Sequence, residues 1–141
     1  MRIVGDADLS YATALARQLG DSAEQICATT YESEEDLFRR YPHAPEAVAT
    51  LRTAGARVNC GIDARQLAEH FPGEPAWDRI VFNLPQSPPQ AKARNQIQRH
   101  RQLLRDFCSS AAAVLSPDGQ VWVTLLAGQG GTPLDPIQRL H

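Results

Sequence analysis

The sequence predicts an α/β protein built on a mostly parallel, doubly wound sheet with helices on both faces. Short apolar runs alternate with amphipathic stretches along the whole chain, the pattern of strands joined by right-handed helical crossovers. The run at residues 25–31 is short, apolar and rich in β-formers, which suits a buried parallel strand. The opening stretch, Ile3-Val4-Gly5-Asp6-Ala7-Asp8-Leu9-Ser10, reads as a strand, a tight acidic turn and a helix start.

The elements follow in order. Leu9, Ala12, Leu15, Ala16 and Leu19 recur at helical spacing, with Ser10 placed to cap and Gly20 to stop the helix. After the strand at 25–31, Ser33 and Asp36 form a capping-box pattern that opens a helix through Leu37, Phe38 and Tyr41, ending near Pro42. Pro45 opens and Gly55 closes another helix carrying Ala47, Val48 and Leu51. Residues 57–62 alternate, with Val58, Cys60 and Ile62 on one face, and give a third strand. Asp63 caps a short helix around Leu67, which Pro72-Gly73 breaks. Residues 79–82 form a fourth strand running into Asn83-Leu84-Pro85, followed by a polar, proline-rich loop at 86–90. A long helix begins near Ala93, its buried stripe being Ile97, Leu104, Phe107, Ala111, Val114 and Leu115. Ser116-Pro117-Asp118-Gly119 is a turn signal, and residues 120–126 a fifth strand. A glycine-rich loop at 128–133 and a polar tail close the chain.

At 141 residues the chain is sized for a single domain with a modest core. With 43% hydrophobic and 21% charged residues its composition is that of a soluble globular protein. No apolar run approaches a membrane span, and the N-terminus reads as a core strand and not a signal peptide, so a cytoplasmic location is expected. Cys27, Cys60 and Cys108 lie far apart, without metal-site spacing, and each falls in a predicted strand or helix as a buried free thiol. A net charge of −2 excludes overall electrostatic capture of nucleic acid and leaves room for a local basic face. Lys92, Arg94, Arg99, Arg101 and Arg105, with His100 among them, stand against only Asp106 in or before the long helix. They read either as a grip on phosphates or as a solvated helix face. Aromatic residues are not interleaved there, so base readout by this segment is not expected.

In a doubly wound sheet, ligands bind at the carboxyl ends of the strands. Gly5, Asp6, Ala7 and Asp8 fall there after the first strand, Glu32 after the second, Asp63 after the third, and residues 83–86 after the fourth. A dinucleotide fingerprint would need glycine at positions 7 and 10, where Ala7 and Ser10 stand, and the P-loop lysine is missing. Asp6 and Asp8 would repel a pyrophosphate, so a ligand with a positive or neutral group beside its ribose fits better. That weakens a nicotinamide oxidoreductase; an ordinary strand-to-helix turn is the bland alternative. Glu32 suits two ribose hydroxyls or is a solvated acid at a helix start. Asp63 suits an adenine amino group or simply caps the next helix.

At Asn83-Leu84-Pro85 a resemblance becomes specific. The segments VGDADLSYATALA, ICATTYESEEDLFRRYP, GIDARQL, DRIVFNLPQ and RNQIQRHRQLLRDFCSSAAAVLSPDGQVWVTLLAGQGGTP together resemble the Rossmann-like domain of the ribosomal-RNA uridine-N3 methyltransferase family. The closing GQGGTP is similar to the related domain of ferredoxin-fold anticodon-binding domain-containing proteins. The resemblance covers nearly the whole chain. It implies a class I methyltransferase fold with strand order 3-2-1-4-5, S-adenosyl-L-methionine as cofactor, RNA as substrate, and a nucleolar location in a eukaryote. It further implies that Gly5, Asp6 and Ala7, with Asp8 beside them, line the methionine and ribose part. Glu32 takes the ribose hydroxyls and Asp63 the adenine end, while Asn83 and Pro85 frame the mouth where the methyl acceptor enters. A sulfonium cation without phosphate turns the acidic first turn from a liability into an asset. The residue-level alternative for Asn83 is a strand-ending residue bound to its own backbone.

The chain departs from the family pattern in three places. Ala7 replaces a glycine of the usual Gly-Glu-Gly-Asp-Phe-Ser turn, and Gln86 stands where a histidine often follows. The chain stops at His141, whereas family members continue into a helix and a final strand pair, so residues 120–126 are expected to form an exposed apolar edge. A fragment, or a sheet completed by a partner such as a second copy, is the expectation. Two functions follow: a methyltransferase acting on a base nitrogen of RNA, or a non-catalytic cofactor- or RNA-binding scaffold.

Overall fold

A three-residue strand buried along its whole length, β1 (Arg2–Val4), is the centre about which the other elements are laid. β2 (Cys27–Thr29) and β4 (Trp77–Asn83) flank it. β3 (Arg57–Asn59) lies beyond β2, and β5 (Leu115–Thr124) beyond β4. In this computed structural model, which describes residues 1–87 and 95–126, the sheet has five strands in the order β3-β2-β1-β4-β5, every neighbouring pair parallel. This is the Rossmann-like order that the resemblance implied. Pro88, Pro89, Lys92, Arg94 and the glycine loop at 128–133 lie outside the described residues.

Alternation along β1 divides the core in two. Ile3 joins Leu9, Ala12, Leu37, Val48 and Leu51, contributed by the α1 region, α2 and α3 (Ser10–Leu19, Glu34–Arg40 and Ala44–Thr53). Val4 faces the other way, to Leu67 of α4 (Leu67–His70) and to Phe107 and Ala111 of α5 (Gln96–Ala112). Helices therefore cover both faces. Phe82 of β4 meets Phe107 edge to face, centroids 4.8 Å apart. At the amino end of the sheet, Arg2 lies over Trp77 at 4.5 Å and Phe71 at 5.2 Å and pairs with Glu74, which also accepts from Arg57 at 2.7 Å. One carboxylate thus ties the starts of β1 and β3 together.

Local signals hold where their geometry is local. Asp36 N–H donates to Ser33 Oγ at 3.1 Å, closing the expected capping box, and Pro45 stands in the first turn of α3. Other expectations need correction. Ser10 is the first residue of α1 and not its cap; Leu9 holds the cap position with φ 64° and no side-chain bond. Ala93, near which the long helix was expected to begin, lies outside the described residues; α5 ends at Ala112, so Val114 follows the helix and Leu115 belongs to β5 instead of the helix stripe. The turn at 116–119 is a bulge within β5. Trp77 pairs with Leu115 and Arg79 with Gln120, so Asp78 alone faces the four residues 116–119, and Ser116 Oγ donates to its Oδ1 at 3.1 Å. Gly119 is required there, because a Cβ would lie 2.8 Å from the Trp77 carbonyl oxygen. The cysteines differ from one another: Cys27 is buried, Cys60 half-buried and Cys108 exposed on α5.

The outer face of β5 carries the expected apolar edge. Trp122, Leu125 and Leu126 are 49, 47 and 54% exposed, and the Arg79 guanidinium sits 4.3 Å from the Trp122 ring centroid. No described helix is long and apolar enough to cross a membrane. Phe107 is fully buried between α5 and β4, so Phe107→Ala should lower the unfolding free energy by about 3–4 kcal/mol in urea titration. A loss under about 1 kcal/mol would show that α5 does not close this core.

Candidate functional site

The chain leaves β1 through α1 toward β2 and leaves β4 through α5 toward β5, so the two connections part company between neighbouring strands. This is the switch point of the sheet, where a crevice opens at the carboxyl ends. The last rung between β1 and β4 pairs Val4 with Phe82. Gly5 and Asn83 follow at the next level. Gly5 has φ 63°, and a Cβ on it would fall 2.7 Å from Phe82 Cε2. Only glycine satisfies both the backbone and the ring. Thr29, buried at the end of β2, fixes the turn by accepting from Asp6 N–H at 2.9 Å through its carbonyl and from Gly5 N–H at 3.3 Å through its hydroxyl.

Four acids stand on this edge, each engaged by the protein. Asp6 Oδ2 accepts from the Ala12 N–H at 2.7 Å and serves as the missing cap of α1. Burial pushes its carboxyl up to about 6, against the opposing pull of that bond. For Asp8, burial would raise the pKa, but bonds from Ser10, one from its N–H at 3.0 Å, and His43 Nε2 at 3.3 Å outweigh it and leave the carboxyl below its ordinary value. Glu32 pairs through Oε1 with Arg40, while its carbonyl accepts from Gly61 N–H at 2.8 Å and links β2 to the turn after β3. Asp63 is gripped by Arg65, whose Nε and Nη2 bonds, Nη2 at 2.6 Å, hold its carboxyl low against burial. It also caps the 3-10 turn Ala64–Gln66 through Arg65 N–H at 2.9 Å. Ala7 is exposed at the tip of the first turn.

Across the crevice, Asn83 does not bind its own backbone. Its Oδ1 accepts from Thr124 Oγ1 at 2.9 Å, and Leu84 N–H donates to the Thr124 carbonyl at 2.8 Å, so β5 holds the end of β4. Pro85 is buried behind it. Leu84 itself has φ 49°. The structure thus brings Gly5, Asp6, Ala7, Asp8 and Asn83 to one crevice, with Glu32 and Asp63 at the ends of β2 and β3. Thr29, His43, Arg40 and Thr124 went unread in the sequence, because they reach the site from other elements. Leu84 was expected at this edge from its position after the fourth strand; its left-handed backbone was not. Surface clefts lie to either side: a shallow one bordered by Asp63, Arg65, Glu69 and Asp106, and another between α1 and α3 bordered by Ser10, Arg17, His43 and Glu46. Among the described residues no group of histidine, cysteine and carboxylates is arranged to hold a metal.

Residues 3–139 match the BMT5-like family, described as rRNA (uridine-N3-)-methyltransferase BTM5-like. The chain belongs to that family. It is 38% identical over 138 residues to human ferredoxin-fold anticodon-binding domain-containing protein 1, covering 97% of this chain and 21% of that protein. The mouse homolog is 37% identical over the same shares. Heavy metal-associated isoprenylated plant protein 41 of Arabidopsis thaliana is 32% identical over 86% of this chain and 24% of its own length. The chain thus spans about a fifth to a quarter of the length of these three relatives. No solved structure matches.

Two outcomes test this geometry. Gly5→Ala should destabilise the chain by about 2 kcal/mol or more in urea, and reducing the ring with Phe82→Leu should recover part of that loss. A carboxyl raised in the folded state adds stability that is complete below the unfolded pKa, about 3.9, and is lost as pH rises through the folded value. For Asp6 that value is about 6. Asp6→Asn keeps an acceptor for Ala12 and removes the charge. The melting temperature of the parent relative to this variant should therefore fall between pH 4 and pH 7; a difference that rises instead would refute the buried-carboxyl account.

Proposed function

We propose that this chain binds S-adenosyl-L-methionine at the carboxyl ends of β1, β2 and β3 and presents a base nitrogen of RNA, uridine N3 of ribosomal RNA, beside Asn83. The observation that carries this reading is the family match over residues 3–139, laid on a crevice with acids on one side and Asn83 on the other. The donor set suits the cofactor. Asp6 and Asp8 border a turn without a phosphate-binding lysine, and Gly5 lets the backbone approach a ligand closely.

Gly5, Ala7 and Asp8 would hold the methionine and ribose part, Glu32 the ribose hydroxyls and Asp63 the adenine end. Asp6 would act from behind, setting the turn through its bond to α1. When bound, the cofactor supplies a methyl group on a cationic sulfonium whose leaving group is a neutral thioether. The N3 proton of uridine would be released to water as the N–CH3 bond forms and the S–CH3 bond breaks, so the work of the protein is mainly alignment of the acceptor. With its oxygen engaged by Thr124, the Asn83 carboxamide offers N–H donors. Donors suit a nitrogen flanked by two carbonyls, as uridine N3 is. Arg99, Arg101 and Arg105 of α5 would meet RNA phosphates near the mouth. Such a protein would work in the cytoplasm or, in a eukaryote, the nucleolus.

A scaffold that binds cofactor or RNA without transfer is the second reading, favoured by the arginines already occupying Glu32 and Asp63. Calorimetric titration with S-adenosyl-L-methionine should give binding that Asp8→Ala and Glu32→Ala each weaken about tenfold. A folded sample that takes up no cofactor would sink both the pocket and the enzyme. With binding in place, Asn83→Ala should cut transfer of labelled methyl to ribosomal RNA about a hundredfold or more at unchanged cofactor affinity. Transfer absent from the parent itself would favour the scaffold.

A further inference from the structure

Two described residues other than glycine have positive φ, Leu9 at 64° before α1 and Leu84 at 49° after β4. The contrast between them is informative. Leu9 is fully buried in the core formed with α1, α2 and α3, so packing of its side chain offsets the backbone strain. Leu84 is 44% exposed and belongs to neither buried core, so its side chain recovers less by burial than that of Leu9. A glycine or asparagine would occupy that backbone with less strain, and the following Pro85 restricts it further. The fold nevertheless holds the conformation firmly, through the 2.8 Å bond to Thr124 and the buried proline. Among the described residues, neither hydrophobic core includes Leu84.

Position supplies the account. One level past the Val4–Phe82 rung stand Gly5 and Asn83; one further stand Asp6 and Leu84. Leu84 therefore stands, as a partly exposed branched apolar residue, one level past Asn83 on the β4 side of the crevice, across from the level of the acidic turn. A planar base has polar edges and apolar faces. We propose that Leu84 is a positioning residue that packs on the face of the acceptor pyrimidine, while Asn83 addresses its edge. The proposal rests on the function put forward above and adds the residue that selects a base lifted out of its stack over sugar and phosphate alone.

The experiment compares Leu84→Gly, Leu84→Ala and the parent chain in three readouts: melting temperature, calorimetry with S-adenosyl-L-methionine, and affinity for oligouridylate against an abasic strand of equal length. Leu84→Gly should raise the melting temperature by about 2–4 °C, since strain is relieved and little packing is lost. Both variants should lose about fivefold in oligouridylate affinity, with binding of the abasic strand and of the cofactor unchanged. A lower melting temperature for the glycine variant would assign Leu84 to packing and overturn the proposal. Oligouridylate affinity indifferent to Leu84, or no better than that of the abasic strand, would overturn it as well and leave the residue to a protein surface. Loss of cofactor binding in the parent chain marks failure of the proposed function instead, so the two are told apart.

Discussion

The space that a side chain at position 5 would need is filled by the ring of Phe82, and much of the structure depends on that exclusion. Phe82 is held by Phe107, which anchors α5 to the sheet, so the ring cannot retreat. Glycine at the end of β1 follows, and with it a positive φ that turns the chain at once into the acidic loop. Because Thr29 takes the N–H groups of both Gly5 and Asp6, the turn is fixed against β2 as well. A single close approach between neighbouring strands thereby sets the width of the crevice and the entry angle of α1.

The acids along the carboxyl edge are less available than their number suggests. Asp6 spends an oxygen on the helix it precedes, and Asp8 shares His43. Glu32 and Asp63 each face an arginine from the following element. Charge at the edge is thus balanced locally. A ligand at this edge would meet a polar and weakly negative rim, which suits a cation on a nucleoside and disfavours a pyrophosphate. Among the described residues, the carboxyl raised toward neutral pH is that of Asp6, through burial.

At the opposite end of the sheet, Glu74 gathers Arg2 and Arg57, and the buried guanidinium of Arg2 lies against the edge-to-face pair Phe71 and Trp77. The amino edge is therefore closed by cation–π and ionic contacts, whereas the carboxyl edge is left as loops. β5 extends this asymmetry sideways. Its bulge opposite Asp78 absorbs a turn-forming sequence, so that the apolar run after it can still pair with β4 up to Asn83. The end of β5 thus comes to hold the Asn83 carboxamide in place through Thr124.

Residue order alone determined that strands alternate with helices, that the sheet is parallel with order 3-2-1-4-5 once the family pattern is recognised, and that the edge residues follow each strand. The capping box at Ser33 and the glycine at position 5 were legible because their causes lie within a few residues. Tertiary structure decided the rest. That Asp6 instead of Ser10 caps α1, that 116–119 bulges instead of turning, and that His43, Arg40 and Thr124 attend the site all depend on groups remote in the chain or on the partner strand. Periodicity reports which face of an element is apolar; it does not report which distant group will arrive opposite a carboxylate, or which backbone will be forced into a left-handed turn when two strands close on one ring.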